Sequence, residues 1–181
     1  MAARLAGVGV VVTRPAGQAA PLAAALARDG AQVVLMPLIE VVARQDPALL
    51  DEVTAVERAD VLVVTSTNGA QLLGRAMARA GVSVDAGTRV IAVGTATAAA
   101  MVDIGCPPDD VPARASGGAI VELLTHGPGL RGRTVVLARA HRARPEVPDG
   151  LRARGATVIE IALYDVAQCT PDPATLAQAC A

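Results

Sequence analysis

The chain has 181 residues, a formal net charge of −1 at pH 7 and 52% hydrophobic residues, and Tyr164 is its single aromatic. A near-neutral charge leaves no electrostatic footprint for nucleic acid, and without aromatic platforms bases have nothing to stack on. Lysine is absent, so every basic side chain apart from two histidines is arginine; this excludes Schiff-base lysine chemistry and a Walker-A phosphate loop.

In chain order, Val8–Val12 is a continuous apolar run, which predicts a strand buried on both faces. Pro15 ends it. Residues 18–28 are Ala- and Leu-rich and predict a helix stopped at Asp29-Gly30. Gln32–Met36 is the return strand, and Leu38–Arg44 a further extended stretch. A helix is expected over 47–57, a strand over Asp60–Val64, a helix over Gly69–Ala80 and a strand over Arg89–Val93. A helix over 98–104 and a short strand near Val111 follow. Ser116 caps a helix that runs to Leu124. His126–Arg133 is a Gly/Pro loop, followed by a strand over 134–138, a helix over 145–154 and an extended stretch over Thr157–Gln168. Thr170–Ala181 reads as a frayed helical tail. Alternating strands and helices predict parallel sheets covered by helices on both faces.

The chain also repeats itself. Shifted by 125 positions without a gap, Val10, Val11, Arg14, Leu26, Gly30, Ala31, Val33, Leu38 and Val41 fall on Val135, Val136, Arg139, Leu151, Gly155, Ala156, Val158, Leu163 and Val166. Each copy reads as a βαβ unit with an arginine after its first strand. Asp60–Val64, the next strand of the first copy, has no counterpart after the second. The expectation is therefore two lobes, one of them incomplete: residues 1–37 with 168–181. Residues 45–160 form the complete lobe. The two long extended stretches, at 38–44 and 161–167, pair antiparallel as a connector. A lone βαβ unit exposes strand edges, which predicts that segment 1–37 is unstable alone, swapped, or paired with another chain in self-association.

In open α/β sheets ligands bind beyond the carboxyl ends of the strands. Those ends carry Thr13 and Arg14, Thr65, Ser66 and Asn68, Thr95 and Thr97, and Arg139 ahead of His141, Arg142 and Arg144. Hydroxyls, free helix-start N–H groups and guanidinium groups make a cradle for an anionic ligand. No nucleophile–base pair or acidic pair stands among them. Cys106, Cys169 and Cys180 follow no C-x-x-C spacing, and His126 and His141 add no metal pattern, so neither disulfide nor metal is expected. The N-terminal apolar run is too short for a signal peptide, and no run approaches the roughly 20 residues of a membrane span. These readings predict a cytoplasmic protein.

The ordered set Val12-Thr13-Arg14-Pro15 with Gln18, Gly30, Pro37, Asp60 to Ser66 with Asn68-Gly69, Ala92-Val93-Gly94 with Thr97, Arg144 to Leu151, Gly155 and Tyr164 resembles the uroporphyrinogen-III synthase family. The resemblance implies two flavodoxin-like α/β lobes joined by a two-stranded antiparallel connector. It implies hydroxymethylbilane as substrate, a linear tetrapyrrole with eight carboxylates. That substrate is cyclised with inversion of the last pyrrole and loss of water, without a cofactor, in heme, siroheme and cobalamin biosynthesis. It further implies that Ser66, Thr97 and Tyr164 line the cleft, with Tyr164 helping the hydroxyl leave or steadying the closing intermediate. Family members run longer than this chain, so a truncated, inactive relative is one alternative and a non-catalytic binding module of flavodoxin-like type another.

Overall fold

The structure, a computed structural model, describes residues 3–126 and 129–180. Gly127 and Pro128 of the expected Gly/Pro loop and Ala181 of the expected tail lie outside the described residues. The elements are β1 (Gly9–Val12), α1 (Ala16–Arg28), β2 (Gln32–Leu35), β3 (Ile39–Ala43) and α2 (Ala48–Val53), which continues as a 3₁₀ turn (Thr54–Arg58). Then come β4 (Val61–Val64), α3 (Thr67–Ala80), β5 (Arg89–Ala92), α4 (Thr95–Asp103) and α5 (Gly117–Thr125). The last are β6 (Thr134–Ala140), α6 (Glu146–Arg152), β7 (Thr157–Gln168) and α7 (Pro173–Ala179).

The chain divides into two compact units. One contains the residues up to Val42 together with those from Val166 on; the other runs from Ala43 to Asp165. In the first, β1 and β2 form a two-stranded parallel sheet with Val10 opposite Val33. Helices α1 and α7 pack on it. β1 departs from its expected double burial: Val8 is 43% and Val11 37% exposed. The cause is sheet width. Among the described residues neither strand has a second neighbour, so both are edges and the apolar side chains find cover only where a helix lies over them.

In the second unit β7, β6, β4 and β5 lie side by side in that order, all parallel; β3, which apart from Ala43 belongs to the first unit, is hydrogen-bonded to β7. The Arg44 N–H donates to the Leu163 carbonyl and the Cys169 N–H to that of Leu38. Residue numbers rise on one strand as they fall on the other, so β3 and β7 run antiparallel. All four residues of β4 are buried, as a central strand sandwiched between helix layers requires. Leu62, Leu73, Ile91, Ile120, Leu137 and Leu151 are fully buried. α3 shows why it docks: Gly69, Ala70, Leu73, Ala76 and Met77 recur at helical spacing and are its buried face. Gly30 and Gly155, at matching positions of the two repeats, have φ of +92° and +85°. Both occupy the left-handed region that closes a helix before its return strand.

Two elements differ from expectation near the strand ends. α4 starts at Thr95 with Gly94 as its N-cap, so Thr95 and Thr97 belong to a helical first turn, not to a loop. Near Val111 there is no strand among the described residues; a single bridge joins Ile91 to Asp110. Pro107, Pro108 and Pro112 on either side explain this, since proline cannot donate to a ladder.

Candidate functional site

Within the second unit, the chain leaves β4 through α3 toward β5, and leaves β6 through α6 toward β7. The two connections diverge, which opens a crevice beyond the carboxyl ends of β4 and β6 at the point where the strand order reverses. A cavity of about 430 Å³ lies there.

Its floor is built by the residues after β4. Ser66 has extended backbone and its Oγ accepts the Gly69 N–H at 2.9 Å, which caps α3. A Cβ on Gly69 would stand 3.0 Å from that oxygen; glycine lets the cap close. The same Oγ lies 2.9 Å from the hydroxyl of Tyr164, which is 7% exposed. Serine and tyrosine are 98 positions apart in sequence. A β-bulge brings them together: Arg139 pairs with Ala162, but Ala140 pairs with Tyr164, so β7 carries one residue more than β6 at this point. Such a bulge re-aims the side chains that follow it, and here Leu163 and Tyr164 are both buried although they are adjacent. The His141 N–H donates to the Tyr164 carbonyl at 2.8 Å and fixes the strand beyond the bulge.

The wall is built by the residues after β6. Arg139 is 5% exposed. Its Nη1 donates to Glu160 Oε2 at 3.0 Å and its Nη2 to the Arg144 carbonyl at 2.7 Å. Glu160 Oε1 accepts from Arg152 Nη2 at 2.8 Å. The buried guanidinium thus has a charge partner and pins the 141–145 turn from below. Thr65 Oγ1 donates to the Ala138 carbonyl at 3.4 Å.

Opposite, Ser116 Oγ accepts the Ala119 N–H at 3.2 Å and caps α5. Glu146 reaches the first turn of α5, where a Cβ on Gly117 would meet its Oε2 at 3.0 Å. Arg144 lines the cavity with an exposed side chain that makes no hydrogen bond or ion pair among the described residues.

Of the nine residues singled out from the sequence, Thr65, Ser66, Arg139 and Tyr164 line this cavity. Asn68 and Thr95 sit in the first turns of α3 and α4, and Thr97 is buried within α4; none of the three lines it. Thr13 and Arg14 are exposed residues after β1, in the other unit. Ser116, Gly117 and Glu146 line the cavity without having been singled out as ligands. Ser116 was legible as a cap; nothing in the sequence pairs Glu146 with α5. No three His, Cys, Asp or Glu side chains come together as a metal site among the described residues.

The sequence profile of the family described as "Uroporphyrinogen-III synthase HemD" matches residues 20–181. The uroporphyrinogen-III synthase of Synechococcus elongatus is 29% identical over 180 residues, covering 96% of this chain and 67% of that protein. Among solved structures, a mutant uroporphyrinogen III synthase from the extremely thermophilic bacterium Thermus thermophilus superposes with a TM-score of 0.71 at 24% identity, covering 94% of this chain and 66% of the other. The wild-type protein of the same bacterium gives a TM-score of 0.60 at 24% identity, covering 94% of this chain and 65% of the other. The chain thus spans about two thirds of the length of these relatives, and the structural likeness reaches the α/β fold with parallel-dominant sheets. With the profile running through all but the first 19 residues, the chain belongs to the uroporphyrinogen-III synthase family.

Proposed function

We propose that the cavity beyond β4 and β6 binds hydroxymethylbilane and takes part in closing it to uroporphyrinogen III with loss of water. The observation that carries this reading is the Tyr164 hydroxyl, held 2.9 Å from Ser66 Oγ at the floor of a cavity whose wall and rim are guanidinium and capped helix starts. A polycarboxylate meets there Arg144, unpaired among the described residues, and the N-terminal ends of α3 and α5, both favourable to negative charge. Arg139 acts as a strut for that wall, and the ligand contacts fall to Thr65 and Arg144. Tyr164 is the group placed to donate a hydrogen bond to the departing hydroxyl. The remaining work is positioning, because a flexible chain must be held with its two ends together. The two units are read as the two flavodoxin-like lobes and the β3–β7 ladder as their connector.

The test uses freshly prepared hydroxymethylbilane with separation of the type I and type III isomers. Type III product above the spontaneous background supports the proposal, and Tyr164→Phe is expected to lower it while the melting curve stays in place. Tight binding without type III product replaces the enzyme reading by that of a binding module.

A further inference from the structure

The hydrogen bond between Ser66 and Tyr164 has a direction, and we infer that it runs from serine to tyrosine: Ser66 Oγ–H donates to Tyr164 Oη, and the phenol keeps its own hydrogen for the cavity. Ser66 Oγ already accepts the Gly69 N–H at 2.9 Å. A serine hydroxyl has one hydrogen and two lone pairs. Tyr164 Oη, 2.9 Å away, lies within reach of that one hydrogen. With serine as donor the groups line up head to tail, Gly69 N–H to Ser66 O–H to Tyr164 O–H, and each link polarises the next. The reverse arrangement makes Ser66 Oγ a double acceptor, turns its hydrogen out to the cavity, and leaves the tyrosine oxygen without a donor from Ser66.

The setting of the chain favours the same direction. It starts at the N-terminal end of α3, a helix of 14 residues, whose partial positive charge favours negative charge building up at the far end of the series. That far end is the phenol oxygen.

Ser66 is thus a positioning residue that acts through Tyr164. This role rests on the reading of Tyr164 given above. In the step concerned, the C–O bond of the hydroxymethyl group breaks with both electrons on oxygen. The Tyr164 proton joins that oxygen and water departs. The phenolate retains Ser66 O–H as its donor, and it recovers a proton when the carbon that forms the ring-closing bond sheds its hydrogen.

Tyr164 is the only tyrosine of a chain without Trp or Phe, so the tyrosine Fermi doublet in the Raman spectrum reports on this hydroxyl alone. The intensity of its higher-frequency member relative to the lower falls as a phenol becomes a hydrogen-bond donor. Ser66→Asp is the reference: aspartate caps a helix as well as serine does, has no proton to give, and obliges Tyr164 to donate. The unliganded protein is expected to show a higher ratio than S66D, and Ser66→Thr, which keeps hydroxyl and cap, to match the wild type. Equal ratios in wild type and S66D overturn the inference. Neutron diffraction from wild-type crystals exchanged into heavy water reads the same bond without a variant: deuterium on Oγ aimed at Oη supports it, and deuterium on Oη aimed at Oγ overturns it. In turnover, S66D is expected to lose roughly 10- to 100-fold in kcat, while S66T recovers most of it; an undiminished S66D kcat overturns the inference. Absence of any type III product alongside the expected doublet difference overturns the functional reading and leaves the bond direction standing.

Discussion

Replacing Arg139 with methionine removes a guanidinium that is almost wholly buried while keeping most of its aliphatic stem. Two bonds go with it: one to Glu160 at 3.0 Å and one to the Arg144 carbonyl at 2.7 Å. A hydrogen bond from a charged donor contributes about 1.5–3 kcal/mol. Breaking a fully buried ion pair by removing one partner costs about 3–5 kcal/mol, but the Glu160 side chain is 35% exposed and keeps Arg152 at 2.8 Å. The expected loss is therefore about 3 kcal/mol, read as a fall in the urea midpoint at constant m. Arg139→Lys should recover less than half, because one ammonium cannot reach both acceptors as a planar fork does. Arg152→Met is the internal comparison. It removes the other partner of Glu160, but Arg152 is 47% exposed, so its cost should stay under about 1 kcal/mol. A loss for Arg139→Met no larger than that for Arg152→Met refutes the assignment of Arg139 as the strut of the cavity wall.

The other expectations concern more distant positions. Asp60 accepts the Thr134 N–H and then the Arg133 guanidinium, and both hold its carboxyl below the usual range. A depressed folded-state pKa contributes stability that is present above about pH 4 and lost as the pH falls through the folded value, so Asp60→Asn should flatten the acid limb of a stability-versus-pH curve. Burial, with Asp109 second, pushes the Cys106 thiol up. A thiol-specific reagent at neutral pH should therefore label exposed Cys180 quickly and Cys106 only as fast as the protein opens; immediate labelling of all three cysteines contradicts the packing around Cys106. Gly117→Ala places a methyl 2.8 Å from Val147 Cγ2 and 3.0 Å from Glu146 Oε2. It should destabilise by about 1–3 kcal/mol, and a neutral result in thermal melts would mean that α6 gives way freely.

The order and kind of the elements were legible because each rests on local chemistry. The apolar runs within 60–64 and 134–138 are strands, and Ser66 and Ser116 cap the helices that start beside these serines. What escaped was set by partners far along the chain. The apolar run of β1 predicted burial, but burial depends on how many strands lie alongside, which no single segment records. Thr95 and Thr97 read as strand-end hydroxyls because Gly94 is a weak stop; the helix begins on them directly. Arg139 read as a ligand for an anion, and its guanidinium is engaged by Glu160 and a carbonyl. The sequence named both Ser66 and Tyr164 but not the bond between them, since the bulge that aligns them depends on the register of two strands.

The grip of Arg139 on residue 144 is a grip on its carbonyl oxygen, an atom every amino acid has. The path of the turn is thus insensitive to which side chains it displays. Ala143 and Arg144 can be exchanged for other residues without loosening the clasp, so the identity of the groups offered to a bound molecule is free to drift while their location is not. Variation at these two positions should change the chemistry that the cavity lining presents, with the scaffold behind them unchanged.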